Sequence, residues 1–458
     1  MIGRLAVRSL TAHPVRSAVL AAGFGVGVGV MAILLGVAQI VLEQSQAPAL
    51  VGGGDVIIRL GRQVPARLLL SGTLQGDTLR SRVRVASPTQ ATALYLVRDS
   101  GVTRVRARGG IPSLERALGD EETSQASAAW TDAPADVAWT RDTPDRILRE
   151  IDRFHPVPGA TAWSSSWAEW LYFNGRARDA RFYLTFLVGG ETKGGRPAGV
   201  RLQLDRGSGV ENFTADQTIA DADVMRAPDL TIGANSVRLE GLAYRITLDL
   251  RDGKGRRATG ALTITASPGR LLPPLEIAGA RGWRSGYVVP VMSGALDGAL
   301  VVDGQTISLS GGTGYHDHNW GYWQGVSWQW GQVQSGDLSL LYGRLFPPAE
   351  AADPDRIPGF AGALGPDGPL GYASNVTITE TNDERGQPQT IVVEARSETL
   401  DVRLQFDVGS FVVNPAPTGA ALDFFQMRGA YTVTGRASGR MIDFTAPGSA
   451  ETFRGRAR

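Results

Sequence analysis

The 458-residue sequence predicts an all-β protein of two closed or nearly closed antiparallel sheets, preceded by one membrane-spanning helix. Three observations carry this. From Trp163 onward, short apolar–polar alternations such as RLQLD, YRITLDLRD, GALTITAS, TIVVEARS and VRLQFDV recur between turns, as half-buried strands do. After Tyr287 the pattern starts afresh, enough for a second sheet. The 58 glycines and 25 prolines supply the turns. Closing such sheets removes their edges, and a barrel of about eight strands can hold one small ligand.

The helix is expected over Ser17–Leu42, 26 residues without a charge. That exceeds the roughly 20 needed to cross a bilayer and the roughly 7–15 of a signal-peptide core, although Ala47-Pro48-Ala49 has the form of a cleavage site. Arg4, Arg8 and Arg16 precede it and Glu43 follows. This places the N-terminus in the cytoplasm and the bulk of the chain outside, on a single-pass inner-membrane anchor. Gly23/Gly27 and Gly25/Gly29 would let another helix approach closely, or reflect the frequency of glycine in membrane helices. Residues 46–155 read as strand-like segments, a linker over Gly119–Thr140 and a short amphipathic helix in TPDRILREIDRF. That helix has Thr143 as N-cap, and Ile147, Leu148, Ile151 and Phe154 share one face. The first β domain is expected over 156–286 and the second over 287–458.

Composition excludes several functions. Net charge is +1, with 46 basic against 45 acidic residues, so no basic field exists to hold nucleic acid. There is no cysteine, hence no disulfide, thiolate zinc site or cysteine-ligated iron–sulfur cluster. No glycine-rich phosphate loop joins a strand to a helix, so no cofactor is expected.

The stretch Gly311–Gln332, GGTGYHDHNWGYWQGVSWQWGQ, concentrates chemistry: two of four histidines and four of ten tryptophans. Alternation puts His316, His318 and Trp320 on one strand face, and Tyr315, Asp317 and Asn319 on the other. An imidazole or carboxyl acid beside indole rings suits an apolar pocket with a proton donor in it, because burial and neighbours tune the donor's pKa and ring faces attract cations. Equally, Trp and Tyr pack barrels, and a buried Asp often serves only backbone amides. His316-x-His318 could begin a metal site, but zinc needs a third ligand. His13 precedes the membrane helix and His155 lies in the linker, so no metal is expected. Glu169, with Trp167, Leu171 and Phe173 on its face, is expected to close a salt bridge with Arg454.

From Trp163 to the C-terminus the chain resembles the carotenoid hydratase (hydroxyneurosporene synthase) family and its AttH-like relatives, which are double-lipocalin proteins. AEWLYFNG resembles the family's Glu-Trp-Trp-Tyr strand, with Trp170 and Tyr172 matching and Leu171 replacing the second tryptophan. GTGYHDHNWGYW resembles its Asp-His-Asn-Trp-Gly signature, Trp328-Gln329-Trp330 its Trp-x-Trp, and GSAETFRG its closing Glu-x-x-Arg strand. The resemblance implies two lipocalin-like barrels and acid-catalysed hydration of a polyene, terpenoid or similar lipid. His318 or Asp317 would donate the proton with Tyr342 nearby, and Tyr315, His316, Trp320, Trp323, Trp328, Trp330 and Arg344 would line the ligand site. Gly343 and Arg344 follow Tyr342 where the family has a carboxylate. That departure leaves a non-enzymatic lipid- or lipoprotein-binding module as the alternative, with Arg344 on an anionic head group or simply at the surface. Residues 1 to about 60 resemble the start of a lipoprotein-exporter permease, which implies ABC transporter subunits as partners of the Gly-rich helix.

Overall fold

The computed structural model describes residues 82–98, 101–119, 130–140, 143–159, 161–178, 180–207, 209–366, 368–415 and 422–455, with a few short stretches before 82. The expected membrane helix, the exporter-like start and the cytoplasmic tip lie outside the described residues. Among the described residues, no helix is long and apolar enough to cross a membrane.

The chain forms two compact units, one built from Met1–Leu60 and Leu69–Arg141, the other from Gly61–Leu68 and Asp142–Arg458. In the first, strands β1 (Thr89–Arg98) and β2 (Gly101–Gly110) make an antiparallel hairpin, followed by helix α1 (Pro112–Leu118). Glu115 of α1 is buried and accepts a hydrogen bond from Thr89 Oγ1 at 2.9 Å. The expected linker Gly119–Thr140 is helical in part, because Pro134 starts α2 (Pro134–Thr140).

The second unit opens with helix α3 (Pro144–Ile151), where Pro144 sits in the first turn as its fixed φ favours. Thr143 takes the N-cap position but makes no side-chain cap bond. Leu148, Ile151 and Phe154 are buried in the core of the sheet that follows, each contributing about 1.5–3 kcal/mol by leaving water.

That first sheet contains β3 (Trp167–Ala177), β4 (Ala180–Gly189), β5 (Arg196–Asp205), β6 (Val210–Ile219), β7 (Thr231–Ile232), β8 (Asn235–Glu240), β9 (Ala243–Arg251), β10 (Arg257–Thr265), β11 (Leu272–Ala278), β12 (Arg284–Val302), β13 (Gln305–Ser308) and β14 (Gly312–Tyr322). Strand order runs β10-β12-β14-β3-β4-β5-β6, and β9 joins both ends by pairing with β10 along its length and with β6 at Thr214–Arg251. Eight strands thus close a ring.

The second sheet holds nine antiparallel strands: β15 (Ser327–Ser335), β16 (Leu338–Phe346), β17 (Phe360–Gly365), β18 (Gly368–Ala373), β19 (Asn375–Asn382), β20 (Pro388–Arg396), β21 (Leu400–Pro415), β22 (Leu422–Ala437) and β23 (Arg440–Gly455). It curls around one core, and β18 comes back to the β20–β21 turn, where Ser397 Oγ donates to Tyr372 O at 2.8 Å. The protein is therefore all-β in its larger unit, a lipocalin-like pair of curled sheets.

The sheets divide between Tyr322 and Ser327, whereas alternation alone suggested 286/287. The reason is β12: its 19 residues pair with β10 at one end and β14 at the other, which commits both β12 and β14 to the first barrel. The third core region lies between the sheets. It contains Tyr172, Tyr183, Tyr315, Val289 and Met292 from the first, and Trp330, Leu341 and Leu364 from the second.

Candidate functional site

Strand β14 has barrel interior on one face and the seam between the sheets on the other. His316, His318 and Trp320 point inward, opposite Phe173, Leu171 and Glu169 of β3. Tyr315, Asp317 and Asn319 point into the seam, opposite Asn174, Tyr172 and Trp170. Two glycines make this placement feasible. A Cβ on Gly286 would sit 2.0 Å from the Trp320 ring, so the indole lies flat where β12 has no side chain. Gly321 has φ +141°, and a Cβ there would meet Arg284 O at 2.5 Å.

The inward face carries a buried charge network. His318 is fully enclosed; its Nε2 lies 2.8 Å from Glu169 Oε1, and its Nδ1 lies 3.2 Å from Asp152 Oδ1. His155 Nδ1 reaches the same Oε1 at 2.7 Å, and its backbone N–H donates to both Glu169 oxygens at 3.0 Å. His316 donates from Nδ1 to Tyr172 O at 2.9 Å and presents Nε2 to Asp152 Oδ2 at 2.9 Å. Rings fill the rest: His316 stacks on Phe173 with centroids 4.1 Å apart, His155 on Trp320 at 4.4 Å, and Phe154 lies 5.0 Å from His318.

Burial opposes every charge here, yet the groups compensate one another. Burial alone would lower the His318 pKa, but Asp152 and Glu169 outweigh it and raise the imidazole to about 9. Burial would raise both carboxyls, but the imidazoles hold Asp152 and Glu169 below the usual carboxylate range. Among the described residues, the ion-pair partners of Glu169 are these histidines. Glu169 belongs to the first sheet and Arg454 to β23 of the second, and the Arg454 side chain lies outside the described residues. His155, expected to be stranded in a linker, comes to the cluster because the chain turns back after α3 and lays its backbone on Glu169.

The seam is different. Asp317 is 3% exposed and accepts from Tyr315 Oη at 2.9 Å and Asn319 Nδ2 at 2.8 Å, with Tyr287 Oη at 3.5 Å. These partners are neutral. Burial drives the Asp317 pKa well above the carboxylate range, and nearby Glu451 adds to the rise. Glu451 of β23 is itself pushed up to about 7 by burial, against the hydrogen bond from Trp328 Nε1 at 2.9 Å. Tyr287 bonds the Tyr315 hydroxyl at 2.7 Å and accepts from Trp330 Nε1 at 3.1 Å. Rings surround the pair: Tyr172 and Tyr315 lie edge-on to Trp330, and Trp170 packs against Trp323 and Trp328. Trp170, Tyr287, Asn319, Trp328 and Phe360 are only half-buried, so the seam reaches solvent there.

The site residues expected from sequence thus fall in three places. His316, His318, Glu169 and Trp320 gather inside the first barrel. Tyr315, Asp317, Asn319, Trp170, Tyr172, Trp328 and Trp330 gather in the seam, with Trp323 at its edge donating to Ala168 O. Tyr342 joins neither: it lies in the second core, hydroxyl to hydroxyl with Tyr431 at 3.2 Å. Arg344 donates to Pro354 O and lies over the Phe346 ring. Sequence reasoning missed Asp152, His155, Tyr287 and Glu451. Glu451 stands in the closing-strand motif and so had a signal; Asp152 and Tyr287 had none.

No family model matches the chain, and no curated protein does. Among solved structures, the chain is similar to an AttH-like protein from Nitrosomonas europaea, with 18% identity and TM-score 0.41 over 67% of this chain and 100% of that one. It is similar to kievitone hydratase from Nectria haematococca, at 12% and 0.43 over 66% and 96%. It is also similar to CghA with Sch210972, at 13% and 0.44 over 68% and 95%. At these identities and scores, no reaction is assigned to this chain.

Proposed function

We propose that the seam between the two sheets binds a hydrophobic alkene, of isoprenoid or similar lipid type, and that Asp317 protonates it to begin addition of water. The observation that carries this reading is the Asp317 carboxyl, kept neutral by burial and held by Tyr315 and Asn319 among rings that reach solvent. A protonated acid is the required starting state for a proton donor. His318 fits that role less well, because both its nitrogens face carboxylates and its surroundings are the protein's own side chains.

The Asp317 proton forms a C–H bond as the π bond breaks, leaving a cation at the more substituted carbon. Indole faces of Trp170, Trp328 and Trp330 steady that cation. Water forms the C–O bond, and its surplus proton returns to the Asp317 carboxylate. The net change is addition of one water, without oxidant or nucleotide. In this reading Glu451, pushed up to about 7 by burial, would relay that proton. The anchor expected over Ser17–Leu42 would tether the chain to the membrane that dissolves such substrates.

The test is incubation of the full chain with isoprenoid polyenes in D₂O. A product heavier by one water and carrying carbon-bound deuterium is expected. Asp317→Asn should lower its formation by about 10²–10⁴-fold. Product made equally by Asp317→Asn rules out this donor. Tight binding of the polyene with no product would instead favour the binding module.

A further inference from the structure

The cluster inside the first barrel has a feature that seam chemistry leaves unused. His155 Nδ1, His318 Nε2 and a Glu169 oxygen lie within 4.8 Å of one another. They come from three places: the coil after α3, β14 and β3. Both imidazoles already aim at one carboxylate oxygen. Two imidazoles and one carboxylate are the donor set of a three-coordinate protein site with one position left for water or ligand.

The surroundings fit a metal in two further ways. His318 Nδ1 faces Asp152 Oδ1, and both are buried atoms without an aligned hydrogen-bond partner. A carboxylate behind the far nitrogen of a histidine fixes the ring and leaves Nε2 to bind an ion. Glu169 is also held by the His155 backbone N–H, so the carboxylate is positioned before any ion arrives. Access is available from one side only: the His155 side chain is 27% exposed, whereas His318 and Glu169 are fully buried.

We propose that His155, Glu169 and His318 bind one divalent transition-metal ion, with Asp152 positioning His318. The nitrogen-rich set favours zinc-like ions over magnesium or calcium, which prefer all-oxygen shells. On binding, the ion takes the place of the protons lying between the imidazoles and Glu169, and these pass to solvent. The bound ion would cross-link the segment after α3 to two barrel strands.

The full chain, stripped with a chelator and exchanged into metal-free buffer, is titrated with Co²⁺ and separately with Zn²⁺. One equivalent should bind, with the intense visible absorption of four-coordinate cobalt, which Zn²⁺ then bleaches. Zn²⁺ should raise the Tm, because it binds only the folded chain. His155→Ala, a partly exposed position that should still fold, is expected to lose about 100-fold or more in affinity and the Tm rise with it. His13→Ala and Asp317→Asn should bind as the unaltered chain does. A folded, metal-free protein that gives no cobalt spectrum overturns the proposal and leaves a proton-bridged network only. So does a His155→Ala variant that binds equally well. Because Asp317→Asn tests the seam alone, failure of the hydration reading leaves this test intact.

Discussion

The two faces of β14 solve the same problem in opposite ways. Both bury carboxyl groups among aromatic rings. Inward, Asp152 and Glu169 sit against imidazoles, and Asp152, Glu169 and His318 keep their charged forms: the carboxyls are held down and His318 is held up. In the seam, Asp317 has only hydroxyl and amide partners, so burial prevails and the acid stays neutral. A single strand therefore separates an ion network from a neutral carboxyl group. What decides between them is whether a cationic partner stands close enough to offset desolvation.

The sharpest way to break this contrast is to remove the interior cation. His318→Ala leaves Glu169 and Asp152 buried with less positive charge nearby, and should cost about 3–5 kcal/mol in urea unfolding. A loss under 1 kcal/mol would mean that the interior charges do not support one another.

A pH series of the metal-free protein probes both faces at once. His318, near 9 in the folded state, lies above its ordinary value of 6.5. Its contribution is complete below about pH 6.5 and is lost as the pH rises through 9, on the order of 3 kcal/mol in all. Asp152 and Glu169 act in the other direction, since their contribution is present above the ordinary carboxylate pKa and fades on acidification. Asp317, whose raised pKa makes the neutral form the folded one, adds to the loss as pH rises above the ordinary carboxylate range. An alkaline decline equally steep in His318→Ala would show that His318 is not its source.

The smallest effect is expected in the seam. Asp317→Asn replaces a neutral acid by a neutral amide of similar shape, and should change stability by about 1 kcal/mol or less, measured by thermal unfolding. A loss as large as that of His318→Ala would show that Asp317 is ionised, and would erase the difference between the faces.

Much of this was legible in the sequence, for physical reasons. Alternation reports side-chain faces directly, so the division of His316, His318 and Trp320 from Tyr315, Asp317 and Asn319 needed no coordinates. Amphipathic spacing likewise showed which side of α3 is buried. Strand partners were not legible. Nothing local in β12 says that one end pairs with β10 and the other with β14, so the sheet boundary falls three strands later than alternation suggested, after β12, β13 and β14. Glu169 was recognised as noteworthy, but its histidine partners were not legible, because long-range ion pairs depend on which elements become neighbours.

By itself the sequence determined the all-β class and two-sheet count of the larger unit and the two-faced character of the Gly312–Tyr322 strand, because period and composition are local properties. Only the tertiary structure decided that Asp152 and His155 close around His318 while Glu451 and Tyr287 approach Asp317. Those side chains come from segments as far as 164 residues from their β14 partner in the chain, and whether each acid keeps its charge or its proton depends on the low-dielectric neighbourhood that they create together.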